Sequence, residues 1–300
     1  MRLLLVDGHY YLYRSFFAIR GLSNSRGEPT NAIYGYTKAL RKMLGDVKPD
    51  RVGVVWDRGL PARRVELQPA YKQNRAEMPE DLRRQEDPVR RLCECLGLMN
   101  LSLPDTEADD LIASYALAAH REGAEVFIAT SDKDIQQLVR PGLSIYATVK
   151  SAAGFALLGP EEIRERWGVE PARIADVLCL TGDSSDNIPG VNGVGEKTAA
   201  ALIRQFGSVG ELLQRPEEIA NGKQRERVLA ARDLIRDNRE MVRLDDDLPL
   251  PVPWLDLEIR RKDQALVAFL RECEFKSLLA EVERETGLGS APPAQPELFA

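Results

Sequence analysis

LTGDSSDNIPGVNGVGEKTAAALI, residues 180–203, joins a carboxylate pair to a glycine-rich turn that opens a helix. Asp183 and Asp186 stand three positions apart in a Gly-Asp-Ser-Ser-Asp-Asn turn, a spacing at which both carboxylates can converge on a hard cation such as Mg²⁺ or Mn²⁺. Taken alone, the pair has a plainer account as a solvated acidic turn or a helix N-cap. Gly190, Gly193 and Gly195 follow, and Lys197 and Thr198 open an alanine-rich run. Glycines so placed let backbone N–H groups point outward, and a helix N-terminus adds partial positive charge, which suits a phosphate. Tight packing alone is the competing reading.

Outward from this stretch, three apolar runs share one grammar. Leu3-Leu4-Leu5-Val6 ends in Asp7, Val52-Gly53-Val54-Val55-Trp56 ends in Asp57, and Val126-Phe127-Ile128-Ala129-Thr130 runs into Asp132 and Asp134. Helical patterns over 34–44 and 111–119 lie between them, so the order reads as βαβ units with a mostly parallel sheet. Ligands of such α/β sheets bind beyond the carboxyl ends of the strands. One strand-end aspartate is a turn residue; three at one edge point to a site. Thr106-Glu107-Ala108-Asp109-Asp110 adds acids where a helix begins, and there the helix dipole alone would favour them. An ideal helix sets Glu107 and Asp110 on one face and turns Asp109 away. Glu107 and Asp109 can share a cation only if the segment is a helix entry.

Three hundred residues, 44% of them hydrophobic, can bury a sizeable core. No run approaches a membrane span, and the acidic residue at Asp7 comes too early for a signal peptide, so a cytoplasmic protein is expected. Cys93, Cys95, Cys179 and Cys273 have no Cys-x-x-Cys spacing, and His9 and His120 fit no zinc pattern. A net charge of −6 argues mildly against a nucleic-acid partner, unless the acids are concentrated at a metal site and the cations lie elsewhere. Between about 58 and 91 cations do gather, including Arg58, Arg63, Arg64, Lys72, Arg75, Arg83, Arg84, Arg90 and Arg91, with Pro61, Pro69 and Pro79 breaking any long helix. A solvated face is the ordinary reading of such charge. Tyr71 with Lys72 and Arg75 also suits a single strand, the ring stacking on a base while the cations hold phosphates.

From Gly159 onward the pattern turns helical, interrupted by the extended Leu248-Pro249-Leu250-Pro251-Val252-Pro253. The expected divisions are an α/β core over 1–158 carrying the basic insertion, a helical region over 159–285 with a helix-hairpin-helix over about 174–206, and a flexible tail over 286–300.

At GDSSDNIPGVNGVGEKTA the chain is similar to the carboxylate turn and helix-hairpin-helix of the 5′-to-3′ exonuclease (flap endonuclease) domain of bacterial DNA polymerase I. The likeness extends through LLVDGHYYLYRSF, GEPTNAIYGY, VVWD, YKQNR, TEADDLIA, TSDKD and LGPEEI. It implies a PIN-like nuclease core with two divalent metals. Asp7, Asp57, Glu107 and Asp109 match one metal site, Asp132, Asp134, Asp183 and Asp186 the other, and Asp110 lies beside them. Arg14, Arg64, Tyr71, Lys72 and Arg75 match residues that hold the 5′ strand and scissile phosphate. Gly190, Gly193 and Gly195 match the hairpin that grips duplex backbone, often with a monovalent cation such as K⁺. The implied activity is two-metal-ion hydrolysis of DNA at a 5′ flap, nick or junction, in primer removal and repair, with RNA–DNA primers among the possible substrates. Departures stand at Arg58-Gly59-Leu60-Pro61 where a lysine-bearing loop is usual, at Arg63 where an aromatic is usual, and at Asn31 where a glycine is common.

Gln295-Pro296-Glu297-Leu298-Phe299 is similar to peptides that dock bacterial replication proteins on the sliding clamp, with Gln295, Leu298 and Phe299 as the anchors. No 3′-exonuclease or polymerase module follows, so either a stand-alone nuclease or one cut from a longer chain is expected, of which the clamp peptide favours the first; a monomer is expected. Two other classes compete. A non-catalytic DNA binder would use the hairpin and basic insertion, but would gain nothing from so many carboxylates beside phosphate. An RNA-directed nuclease of similar sheet is the other, against which the hairpin favours duplex DNA.

Overall fold

The computed structural model describes residues 1–149 and 154–288; Gln295, Leu298 and Phe299 lie outside them. In chain order the elements run β1 (Arg2–Asp7), α1 (Gly8–Ala18), α2 (Asn31–Val47), β2 (Arg51–Val55), α3 (Ala62–Leu67), α4 (Glu80–Cys95), β3 (Met99–Leu101), α5 (Ala108–Arg121), β4 (Glu125–Ala129), β5 (Leu143–Thr148) and β6 (Phe155–Leu158). Then follow α6 (Pro160–Trp167), α7 (Ile174–Thr181), α8 (Glu196–Phe206), α9 (Val209–Gln214), α10 (Gly222–Ala230), α11 (Arg232–Val242), α12 (Asp263–Glu272) and α13 (Lys276–Thr286). Among the described residues no helix is long and apolar enough to cross a membrane.

These elements form two compact units interleaved along the chain. One comprises 1–10, 47–77 and 101–257, the other 11–46, 78–100 and 258–300. Of the helical stretch after Gly159, α6 to α11 share a unit with the sheet while α12 and α13 belong to the other, and the basic insertion expected over 58–91 divides, because Pro79 starts α4 and its apolar stripe packs with the second unit.

In the first unit the strand order is β3-β2-β1-β4-β5-β6. β1 pairs in parallel with both β2 and β4, and β4 with β5; only β6 runs antiparallel. Leu3, Leu4, Leu5 and Val6 are fully buried, as a strand covered on both faces requires, each contributing about 1.5–3 kcal/mol. Asp7 is level with Val55, and Val6 with Ala129, so the parallel register delivers three acidic strand ends to one edge. The chain turns opposite ways on either side of β1, and there the sheet opens its crevice.

The second unit is a helical packing of α2, α4, α12 and α13. Ile33, Tyr36, Leu40 and Met43 recur at helical spacing on α2 and are buried, as are Leu82, Val89 and Leu92 on α4 and Leu266, Phe269 and Leu270 on α12. Buried Gln85 accepts from the Ala32 amide (2.8 Å) and donates to Asn31 (2.9 Å), so one side chain satisfies the open N-terminus of α2. Asn31 in turn donates to the Phe16 and Ile19 carbonyls at 2.8 Å, work that a glycine there could not perform. All four cysteines are free and buried, and behave as small apolar groups.

Candidate functional site

The three strand ends are turned into a site by the helices that follow them. Asp7 accepts from the Tyr10 amide (2.9 Å) in the first turn of α1 and from the Thr130 hydroxyl (3.0 Å) beyond β4. Asp57 accepts from the Ala108 amide (2.8 Å) at the N-terminus of α5 and pairs with His9 at 2.8 Å. The helix-dipole account and the site account of these acids thus both hold: helix N-termini fix carboxylates that also face one another. Glu107 has extended backbone angles (φ −81°, ψ 151°), so the acidic segment is a helix entry, and Asp109 sits in the first turn. The amides of Asp132 and Asp134 bond the Thr130 hydroxyl (3.1 Å) and the Asp132 carboxylate (2.8 Å), which folds the segment after β4 over the same edge.

The turn that carries Asp183 and Asp186 is closed by paired bonds between Asp183 and Ile188 (2.8 and 2.7 Å). It brings ligand oxygens of Asp134, Asp183 and Asp186 within 4.8 Å of one another. Asp134 Oδ1 is buried and has no hydrogen-bond partner, although an unpaired buried carboxylate oxygen is costly. A buried carboxylate with an orphaned oxygen, grouped with two further carboxylates, fits a hard divalent cation, and the all-oxygen donor set suits Mg²⁺ or Mn²⁺ over softer metals.

Charge repulsion leaves its mark on these acids. Burial, then Asp57, raises Asp7 to about 7. Burial, then Asp132, holds Asp109 and Asp134 well above the ordinary range, and burial also raises Asp132. Burial would raise Asp57 and Asp183 as well, but His9 brings Asp57 down to about 2 and Lys133, at 2.9 Å, lowers Asp183. A raised carboxyl keeps its proton in the folded state after the unfolded chain has lost it, so it lowers stability as pH rises through that interval. The lowered pair acts only below an ordinary aspartate's 3.8. In EDTA, the melting temperature is therefore expected to fall between pH 5 and 8, roughly the window set by Asp7, and excess Mg²⁺ to reverse the trend. Scanning calorimetry across that range checks this, and a melting temperature that climbs with pH in EDTA would count against it.

α3 and the segment after it close over the acids, and residues expected at the DNA are paired there with carboxylates. Arg64, expected at the 5′ strand, is 3% exposed and pairs with Glu107 and with Asp110 (2.8 Å). Asp110, expected beside the metals, gives both oxygens to Arg64 and accepts the Asp245 amide at 2.9 Å. Tyr71, expected to stack on a base, is 5% exposed, its hydroxyl 3.1 Å from Glu107 and 3.3 Å from Asp186. The reason is common to all three: so many carboxylates in one place draw in every nearby donor. Lys72 bonds Glu107 and lies 3.5 Å from Asp186, while Arg75 reaches Asp186 at 2.5 Å. Lys72 also holds a left-handed backbone (φ 56°), a strained state common at functional sites. Arg14 is an exposed residue of α1 in the second unit.

His9, Lys133 and Thr130 were missed as partners of the acids. Lys133 lies between Asp132 and Asp134 in the sequence, a signal that was legible; His9 on Asp57 is a contact that only the fold makes.

The hairpin comprises α7 and α8 joined by residues 182–195, within the expected 174–206. A Cβ on Gly190 would lie 2.1 Å from the Thr181 carbonyl, so this glycine serves packing. Gly193 has φ +70°, whereas Gly195 precedes α8 with open space around it. Lys197 and its neighbours Gly195 and Glu196 are exposed, and Thr198 is half-buried, so the N-terminal turn of α8 lies at the surface. Gly190→Ala is expected to cost about 1–3 kcal/mol through overpacking of the hairpin, read as a lower urea midpoint, while Gly195→Ala is expected to change stability far less.

Comparisons with known proteins agree with this architecture. Residues 2–168 match the 5′-3′ exonuclease N-terminal resolvase-like domain, and residues 169–265 the 5′-3′ exonuclease C-terminal SAM fold. The chain is 42% identical to a thermostable DNA polymerase I of Thermus thermophilus over 99% of its own length and 35% of the polymerase. With DNA polymerase I of Bacillus subtilis it is 36% identical, over 96% of the chain and 34% of that protein. It thus spans about a third of the polymerases it matches. Among solved structures, a zinc-bound T5 5′-exonuclease superposes with a TM-score of 0.70 at 19% identity, covering 95% of this chain and 98% of that one. The catalytic core of Rad2 in complex with DNA substrate gives 0.60 at 16% identity, covering 94% and 91%. At such identity the structural likeness speaks for the fold, while the two sequence matches, end to end across the acid cluster and the hairpin, place the chain in the 5′-3′ exonuclease family.

Proposed function

We propose that this chain is a structure-specific 5′ nuclease that hydrolyses DNA phosphodiester bonds near a junction of 5′ single strand and duplex, as exonuclease and flap endonuclease. The observation that carries the reading is the convergence of ligand oxygens of Asp134, Asp183 and Asp186 within 4.8 Å of one another, with Asp134 Oδ1 buried and unpartnered. Asp134, Asp183 and Asp186, with Asp132 beside them, would hold one divalent ion; Asp7, Asp57, Glu107 and Asp109 would hold another, and Mg²⁺ or Mn²⁺ fits both sets. Bound there, the ions supply Lewis-acid polarisation of the scissile phosphate and of the attacking water.

The chain's own residues do the rest. Lys72 and Arg75, set against Glu107 and Asp186, present cationic groups where a phosphate would exchange for a carboxylate partner. The exposed N-terminus of α8, with Lys197 and Thr198, takes duplex backbone beside Gly193 and Gly195, where a monovalent cation such as K⁺ would be held and would supply positive charge toward the phosphate. Arg14 is assigned to the 5′ strand. Products carry a 5′ phosphate and a 3′ hydroxyl. DNA flaps, nicks and RNA–DNA primers are the substrates, in primer removal and repair in the cytoplasm. The protein acts as a monomer, and Gln295, Leu298 and Phe299 dock it on the sliding clamp.

The test is a 5′-flap DNA labelled at each end in turn, incubated with Mg²⁺ or EDTA. Cutting near the junction only with the metal is expected. Tight junction binding without cutting under any divalent metal would make the chain a non-catalytic DNA binder.

A further inference from the structure

A helix leaves its last carbonyls without partners inside the helix, and water, a cap or a neighbouring side chain must supply them. At the end of α11 side chains of other elements supply partners to three of these carbonyls. The Glu240 carbonyl accepts from Arg63, the Met241 carbonyl from Arg64 (3.2 Å) and the Val242 carbonyl from Gln137 (3.2 Å). One residue past the helix, the Arg243 carbonyl accepts from Arg64 again, at 2.8 Å. Cations at this end are favoured by the helix dipole.

Arg64 then reaches past the helix to the acids. Its Nη1 donates to Glu107 and to Asp110 (2.8 Å), and its Nη2 to Asp110 (2.8 Å) as well as Arg243. With Nε on Met241, each of the guanidinium's five N–H groups has a protein acceptor, and none is left for a phosphate. Arg63 holds the same strap by a second point, Asp245 at 3.1 Å, and the Asp245 amide closes the circuit on Asp110. On its flank α11 is fixed to the hairpin, for buried Asn238 donates to the Cys179 carbonyl (3.0 Å) and to the Pro189 carbonyl (2.8 Å).

We infer that Arg63 and Arg64 are positioning residues: by capping the carboxyl end of α11 they dock α3, and so hold Glu107 and the following Tyr71, Lys72 and Arg75 in register with the acid cluster. The inference rests on the proposed nuclease reading for its kinetic consequence, though not for its structural one. Arg63 is the informative position. It touches neither Glu107 nor Asp110, its side chain is 29% exposed, and it can be removed without stranding a buried charge.

The experiment uses the full chain carrying Arg63→Ala, with Arg63→Lys as the conservative variant. On 5′-flap DNA in saturating Mg²⁺, Arg63→Ala is expected to lower kcat about tenfold and leave KM within about threefold. Arg63→Lys, which keeps a donor for the Glu240 carbonyl, restores most of that loss. Without DNA or metal, amide exchange over 62–77 is expected to quicken by about tenfold in Arg63→Ala, as docking of α3 weakens. Unchanged exchange over 62–77, or a rise in KM as the main kinetic effect, overturns the inference, the second outcome making Arg63 a DNA contact. If the wild-type chain cuts no substrate, the nuclease reading fails by itself, and the exchange comparison still decides whether Arg63 positions α3.

Discussion

A chain carrying both Asp183→Asn and Asp186→Asn is expected to cleave 5′-flap DNA at least about a thousandfold more slowly than the wild type, a loss of roughly 4 kcal/mol in transition-state stabilisation. These two residues and Asp134 bring their oxygens within 4.8 Å of one another, and an amide in place of each carboxylate removes both the charge and the preferred ligand for a hard cation. The same change relieves Asp134, whose carboxyl Asp183 and Asp186 help to hold above its ordinary range. Calorimetric titration with Ca²⁺ is therefore expected to lose one binding event, while affinity for blunt duplex, which the hairpin would carry, stays within about threefold. Cleavage within tenfold of wild type would remove the carboxylate turn from the chemistry.

Arg64→Ala is expected to destabilise the fold by about 3–5 kcal/mol, because Asp110 would remain buried without the cation that pairs it, while Glu107 loses one cation and keeps Lys72. Burial already raises Asp110, and Arg64 is the chief influence that opposes it. The loss should accordingly shrink as pH falls toward 5, where the stranded Asp110 carboxyl can take a proton. Adding Asp110→Asn to Arg64→Ala removes the stranded charge, so the double variant should be more stable than the sum of the single losses, a coupling of about 0.5–3 kcal/mol. Urea unfolding of the four proteins of this cycle supplies the measurement. A cost below about 1 kcal/mol for Arg64→Ala would mean that solvent reaches these acids, as at an exposed ion pair.

Residue type and spacing carried much of this protein in readable form. Leu3 to Val6 followed by Asp7, with the same grammar at Asp57 and at Asp132, is a local pattern, and the parallel register of β1 with β2 and β4 follows from burial of those runs. The glycine-rich turn and the helix after it, α8, are equally local. Such features depend on neighbours two to four residues away, and periodicity reports them. What the basic insertion does was decided elsewhere. Nothing in the spacing of Arg63, Arg64, Tyr71, Lys72 and Arg75 distinguishes a DNA-gripping surface from an internal set of counter-charges, since either needs cations near carboxylates. For Arg63 and Arg64 the contacts depend on the end of α11, from Glu240 to Arg243, more than 170 residues further on, whose open carbonyls take these two arginines, while Lys72 and Arg75 lie against Glu107 and Asp186. The division of the chain is of the same kind, for α4 leaves the insertion to bury its stripe in the second unit. By itself the sequence determined which residues could bind metal and phosphate, because that is a property of each side chain and its near neighbours. Which of them are already committed to one another was decided by tertiary structure, because a buried charge must find a partner wherever the fold places one.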